Sequence, residues 1–142
     1  MKPILFRHLD VPDINQLDVY REHGGYSALK QAVTTMQSSE VIQVISDSGL
    51  SGRGGAGFPT GRKWSFIPKD VRPTYLVVNG DESEPGAFKD RELMERNPYQ
   101  LVEGMAIAAY AIGCRQAFVY IRGEFLYIEE ILNAAVAEAH LE

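Results

Sequence analysis

The sequence predicts an α/β fold built around one parallel β-α-β unit, with helices ahead of it. Three observations predict it. Tyr75-Leu76-Val77-Val78 is a short, continuous apolar run, as a strand buried on both faces should be. Gln116-Ala117-Phe118-Val119-Tyr120-Ile121 is a second run, rich in aromatic and β-branched residues. Between them Asn97-Pro98 is a strong helix start, with Asn as N-cap and Pro at the first helical position, and Gly113 closes the helix. Such a unit pairs its strands in parallel through a right-handed crossover.

Taken in order, residues 1–14 carry Pro3 and Pro12 and little periodicity, and read as an extended arm. Residues 15–23 form a short helix ended by Gly24-Gly25. Ser27 is a fair N-cap for a helix near 28–36, and Ser39 for one over Glu40–Ser46 that Gly49 stops. From Gly49 to Gly61 there are six glycines and one proline, too many for the interior of a helix or strand. Pro68 and Pro73 keep the next stretch irregular, apart from one helical turn near Lys63–Phe66. After the first strand, Asn79–Gly86 is a polar loop and Phe88–Arg96 is helical. The helix over 98–112 puts Leu101, Met105, Ala108 and Ile112 near one face. Gly123 opens a turn, and a last helix runs to about His140. Two strands do not bury both faces of a sheet, so the sheet is expected to be incomplete. An open apolar edge of this kind invites self-association.

Composition bounds the function. The chain has 142 residues, 45% of them hydrophobic, which fits one globular domain with a short arm. Fourteen Lys and Arg against nineteen Asp and Glu give a net charge of −5, which argues against a nucleic-acid-binding surface. One cysteine, Cys114, excludes an internal disulfide and a cluster held by cysteines of this chain alone, and it reads as a small buried hydrophobe. His8, His23 and His140 show no zinc-ligand spacing, so no metal site is expected. His23 reads as a cap or surface residue. The opening residues lack the apolar core of a signal peptide, and no run approaches the ~18 apolar residues of a membrane span. A soluble chain in a reducing compartment is expected.

Two segments carry chemistry. Gly52-Arg53-Gly54-Gly55-Ala56-Gly57 matches G-x-G-x-x-G, but a helix precedes it and Phe58-Pro59-Thr60-Gly61 follows, so it is not a dinucleotide loop between strand and helix. Lys63 comes one position too late for a P-loop. The segment still has anion-binding chemistry. Its glycines expose backbone N–H groups, and from Gly49 to Lys69 no acidic residue occurs beside Arg53, Arg62, Lys63 and Lys69. A flexible surface loop would explain a bare glycine pattern, whereas the embedded Phe58-Pro59 and the adjoining Lys63-Trp64 favour a ligand loop. Core packing is the better reading of Trp64 and Phe66. The second segment, Asn79-Gly80-Asp81-Glu82-Ser83-Glu84-Pro85-Gly86, contains no cation and follows the carboxyl end of a strand, where ligands of open α/β sheets bind. Its carboxylates, amide and hydroxyl suit sugar hydroxyls and ring N–H groups. Together the loops suit a ligand with a phosphate at one end and a polar ring at the other. Arg122-Gly123-Glu124, after the second strand, reads equally well as a structural turn.

Gly49–Trp64 and Asn79–Asp90, with His23-Gly24-Gly25-Tyr26 and Tyr120–Glu124, resemble the flavin-binding, NADH-oxidising subunit of respiratory complex I (NADH:quinone oxidoreductase). The same module occurs in NAD-linked hydrogenases and formate dehydrogenases. The resemblance implies a Rossmann-like domain holding FMN, on which NADH stacks and to which it passes a hydride. Electrons then leave through iron–sulfur clusters. By motif position, Gly52, Arg53, Gly54, Gly55, Gly57 and Lys63 would line the flavin site. Asn79, Asp81, Glu82 and Ser83 would bond its ribityl chain and ring, Phe58 and Phe66 would flank the adenine of NADH, and Glu84 would sit near the nicotinamide as the catalytic residue. Residues 1–26 would be an arm, and 27–142 the N-terminal part of the FMN/NADH-binding domain. The family's chain is much longer and holds a [4Fe–4S] cluster in a C-terminal part that this sequence lacks. Implied partners are therefore the rest of the same subunit and other peripheral-arm subunits carrying iron–sulfur clusters, at the cytoplasmic or matrix face of an energy-conserving membrane. No nucleic acid partner and no direct membrane insertion are implied. The alternatives are a diaphorase subunit of a hydrogenase or formate dehydrogenase, and a nucleotide-binding module or inert fragment without turnover.

Overall fold

A helix and two strands form the centre of the molecule. The computed structural model describes residues 4–68 and 70–140, so Lys69 and both chain ends lie outside the described residues. The elements run α1 (Leu17–Glu22), α2 (Ser27–Thr35), α3 (Ser38–Asp47), α4 (Thr60–Ser65), β1 (Tyr75–Gly80), α5 (Lys89–Arg96), α6 (Pro98–Ile112), β2 (Gln116–Ile121) and α7 (Leu126–Ala139). β1 and β2 pair in parallel, from Tyr75 opposite Gln116 to Gly80 opposite Ile121. The fold is α/β, as expected, and among the described residues its sheet has two strands.

α6 has the bounds its sequence dictates. The Asn97 side chain accepts from the Gln100 N–H at 3.3 Å, Pro98 occupies the first turn, and Gly113 ends the helix at φ 68°. The helix touches three apolar clusters. Tyr99 packs with Ile14, Tyr20 and Ala135. Ala111 packs with Ala32 and Val41. Leu101 packs against Met94, Ile128 and Leu132, under Val119 and Ile121 of the sheet.

Several local expectations are corrected. From Ile4 to Ile14 the N-terminal stretch is not extended, while residues 1–3 lie outside the described residues. It is a string of turns, with hydrogen bonds such as Val11 N–H to the His8 carbonyl (2.9 Å) and Gln16 N–H to the Asp13 carbonyl (2.8 Å). Ile14 then anchors it in the core. Ser27 is the first helical residue rather than a cap, and its hydroxyl donates back to the Gly24 carbonyl. α3 begins one residue before Ser39, under a capping box of Gln37 and Glu40. The turn expected at Lys63–Phe66 is α4, which starts at Thr60. Cys114 is only half-buried.

The largest difference concerns the sheet. β1 is not buried on both faces; from Tyr75 to Asn79 its residues alternate between exposed and half-buried, and Gly80 is buried. Helices pack on one face only. On the other, Tyr75, Val77, Phe118 and Tyr120 are 52%, 64%, 48% and 60% exposed, with the Tyr75 and Phe118 rings 6.1 Å apart. The sequence signal for two-sided burial was therefore a true record of apolar residues on both faces, one of which is uncovered here.

A polar knot sits inside the helical layer. Glu103 on α6 is buried. Its carboxylate accepts from the Tyr20 hydroxyl, from the Tyr26 N–H at 2.9 Å and from the Leu29 N–H at 3.0 Å. α2 has no side-chain cap of its own, so Glu103 caps it from another helix. Burial, then the hydrogen bond to Glu103, pushes the Tyr20 hydroxyl pKa far up. Burial and then the hydrogen bond to Glu138 do the same to Tyr99, and burial and then the charge of Glu103 raise that of Tyr26. In the unfolded chain these phenols titrate at about pH 10, while the fold holds their protons to higher pH. Above about pH 10 the unfolded state thus binds fewer protons than the native one, and stability falls as pH rises. Urea midpoints are expected to drop between about pH 9 and pH 11. Tyr99→Phe should flatten that drop; a midpoint that stays level in the wild type would contradict it.

Candidate functional site

The glycine loop is the tip of a narrow hairpin-like turn. Ser51 and Pro59 form an antiparallel bridge. The Gly52 N–H donates to the Phe58 carbonyl and the Thr60 N–H to the Leu50 carbonyl, each at 2.9 Å. This closes the neck and leaves Arg53–Ala56 free of the ladder. Gly55 and Gly57 take φ of 111° and 61°, a backbone that favours glycine. A Cβ at Gly54 or Gly55 would meet nothing within 4 Å, so the loop's glycines face open space rather than a packed wall.

The acidic loop begins later than expected, because β1 continues through Asn79 and Gly80. The Asn79 side-chain oxygen accepts from the Asp81 N–H at 2.9 Å, and the Ser83 hydroxyl donates to the Asp81 carboxylate. Glu82, at φ 43°, turns the other way. Its two oxygens accept the Asp90 and Arg91 N–H groups at 2.7 and 3.0 Å. It thereby caps α5, whose own N-cap residue Phe88 offers no side-chain bond.

The two loops meet. A cleft of about 700 Å³ is lined by Arg53, Gly54 and Gly55 from the glycine loop, by Asn79, Glu82 and Glu84 from β1 and the acidic loop, and by Lys89 and Asp90 from α5. Within it the charges are unequally used. Glu82 holds α5, and Asp90 pairs with the Lys89 ammonium at 2.6 Å. The Arg53 guanidinium and the Glu84 carboxylate have no hydrogen bond or ion pair among the described residues, although the Glu84 carbonyl accepts from the Ala87 N–H. The cleft thus presents one uncommitted cation and one uncommitted carboxylate, and can hold a ligand anionic at one end and N–H-bearing at the other.

Six of the residues named from sequence therefore line one cleft: Arg53, Gly54, Gly55, Asn79, Glu82 and Glu84. Gly52 and Gly57 lie in the neck of the same loop. Asp81 and Ser83 bond each other beside the cleft rather than lining it. Lys63 is exposed on α4. Phe58 and Phe66 form a separate group, with centroids 6.2 Å apart and the Arg62 guanidinium 5.8 and 5.6 Å from them. Phe66 is 60% exposed, so the core role first read for it is overturned; Trp64 alone of the pair packs inward, against the Ala32, Val41 and Ala111 cluster. Lys89 was missed by the sequence reading. Its signal was a lysine three residues past the acidic loop, at the start of a helix. Arg122 pairs with Glu124 at 2.8 Å. The Glu124 carboxyl is held below its usual range by a hydrogen bond from its own backbone N–H and then by Arg122. His23 is the C-cap of α1. No group of three or more metal-ligating side chains occurs, and no helix is long and apolar enough to cross a membrane, among the described residues.

Known proteins share this arrangement of sequence. The family described as the Nuo51 FMN-binding domain matches residues 45–142. The chain is 52% identical over 140 residues to one of the F subunits of NADH-quinone oxidoreductase of Rhizobium meliloti (strain 1021), covering 98% of this chain and 33% of that protein. It is 44% identical over 139 residues to the NADH-quinone oxidoreductase F subunit of Escherichia coli (strain K12), covering 96% and 31%. Among solved structures, an NAD+-reducing [NiFe]-hydrogenase in the H2-reduced state aligns with a TM-score of 0.70 and 37% identity over 94% of this chain and 22% of that one. The chain spans about a third of the length of the curated relatives it matches. Since the family match takes in both cleft-forming loops, and likeness to the F subunits runs nearly end to end, the chain belongs to the Nuo51 FMN-binding domain family.

Proposed function

We propose that this chain is the N-terminal FMN- and NADH-binding portion of the flavoprotein subunit of an NADH-quinone oxidoreductase. Residues 27–142 are the first part of a Rossmann-like FMN/NADH-binding domain, and residues 1–26 are its arm. The observation that carries this reading is the cleft in which Arg53, Gly54 and Gly55 meet Asn79 and Glu84. Those residues fit FMN. The glycine wall carries no side chain and admits close approach of a phosphate to backbone N–H groups. Arg53 supplies a free cation for the phosphate. Asn79, with Asp81 and Ser83 beside it, supplies acceptors and donors for the ribityl hydroxyls. When bound, the flavin supplies the acceptor for a hydride from NADH.

The chain's own part is to bind and to orient. Arg53 and the glycine N–H groups hold the anionic end. Glu84, as an unpaired carboxylate, accepts an N–H of the nicotinamide carboxamide and fixes the face that the ring presents. Phe58 and Phe66 flank the adenine. Hydride transfer needs its partners about 3–3.5 Å apart, and the geometry is completed by the rest of the subunit, which also holds the [4Fe–4S] cluster and meets the other cluster-bearing subunits of the assembly at the cytoplasmic or matrix face of the membrane. The hydrogenase likeness supports the same module in a diaphorase subunit as the second reading.

The test uses flavin fluorescence. The 142-residue chain is expected to quench FMN weakly, and Arg53→Ala to weaken that binding about tenfold, the worth of one charge-assisted hydrogen bond. Glu84→Gln should leave FMN binding unchanged but weaken binding of NADH. Anaerobic NADH should bleach the flavin only when the remaining part of the subunit is present. Failure of the chain to quench FMN at any concentration reduces it to an inert fragment; quenching with no effect of Arg53→Ala removes the cleft from the flavin site.

A further inference from the structure

α4 is pinned through one face and displays the other. Trp64 packs against the Ala32, Val41 and Ala111 cluster, and Gly61 lies directly against the backbone of Ser46. On the opposite side α4 presents Arg62, with Phe66 just beyond its end and Phe58 arriving from the glycine loop. Both rings remain substantially exposed, Phe58 at 43% and Phe66 at 60%. The Arg62 guanidinium stands 5.8 Å from one centroid and 5.6 Å from the other. In a chain with nineteen acidic residues, Arg62 makes no ion pair among the described residues. Its planar cation instead covers two rings, an arrangement that exposed sites reward only weakly.

A planar base stacks on such rings more strongly than a hydrated cation does. A guanidinium displaced from them stays tethered at their edge, where a bidentate fork suits phosphate. We propose that Arg62 is the residue by which this ring pair selects nucleotides over bare nucleosides: it covers Phe58 and Phe66 in the free chain, yields that place to a purine, and turns onto the phosphate attached to the same nucleoside. The inference rests on the reading that Phe58 and Phe66 take the adenine of NADH, and it adds to it a role for a cation outside the FMN cleft.

Calorimetric titration of the 142-residue chain with adenosine and with AMP separates the two. AMP is expected to bind about tenfold tighter than adenosine, in line with one charge-assisted contact. Arg62→Leu should abolish that preference without weakening adenosine, because the rings are then uncovered. Arg62→Lys should restore part of it, since the charge returns without the planar fork. Phe66→Ala should weaken both ligands alike. If Arg62→Leu keeps the full AMP preference while Phe66→Ala weakens both, the inference is overturned and the adenine reading stands. If Phe66→Ala changes neither ligand, or neither binds the wild type, the adenine reading fails and takes the inference with it.

Discussion

Glu103→Leu is expected to cost about 3–5 kcal/mol of stability, the cost of leaving three donors in the helical layer without their shared acceptor. The carboxylate satisfies the Tyr20 hydroxyl and the Tyr26 and Leu29 N–H groups at once. Leucine has a similar size but offers none of the three an acceptor; the Tyr20 hydroxyl is buried and the two N–H groups are part-buried. The N-terminus of α2 then loses its cap, and the contact between α2 and α6 loosens. Glu103→Gln keeps one acceptor oxygen and should lose about half as much. Urea denaturation read by circular dichroism should show a lower midpoint at unchanged slope. The coupling is measurable too. Tyr20→Phe and Glu103→Leu share one hydrogen bond, so their combined cost should fall short of the sum by about 0.5–3 kcal/mol. A Glu103→Leu protein as stable as the wild type would mean that α2 is held by apolar packing alone.

Gly61→Ala should be nearly as damaging, by about 3 kcal/mol, at the upper end of what overpacking costs. A Cβ there would stand 2.2 Å from the Ser46 Oγ, 2.6 Å from its N and 2.7 Å from its Cα. Rotating the serine relieves only the first contact, so the backbones of α3 and α4 must separate. The change therefore reaches the ligand side as well, because Arg62 and Lys63 move with α4. Adding Ser46→Gly removes the hydroxyl but leaves the backbone in place, and should restore little. Chemical denaturation of the single and double variants checks this. Full recovery in the double variant would show that only the hydroxyl was in the way.

The sequence was most legible where chemical signals stood at both ends of an element. α6 has Asn97-Pro98 before it and Gly113 after it, and its bounds came out as read. β1 and β2 had their composition and the helix between them. The meeting of the glycine and acidic loops followed from their opposite charge and their place beyond a strand end, although only some of the named residues line the cleft. What stayed hidden was settled by partners distant in sequence. The cap of α2 comes from Glu103, 74 residues beyond Leu29, so no local pattern announces it and Ser27 drew the assignment instead. Glu82 read as a ligand residue, yet its oxygens hold α5. Phe66 looked like core because aromatic residues usually are; its exposure follows from α4 having already spent its inward face on Gly61 and Trp64. The N-terminal turns carry no period at all, and they are tied down by Ile14 and Val11 in the core and by Arg96 and Gln100, which donate to the Leu9 and Leu5 carbonyls.

The uncovered face of the two-stranded sheet bears on how this chain must be judged at the bench. Tyr75, Val77, Phe118 and Tyr120 offer an ordered greasy platform to any hydrophobic dye. A properly folded sample should therefore light up with anilinonaphthalene sulfonate, a response normally taken as the mark of a molten globule. For this molecule the dye would report architecture, and only the near-ultraviolet signal of its packed aromatic rings would separate native material from collapsed.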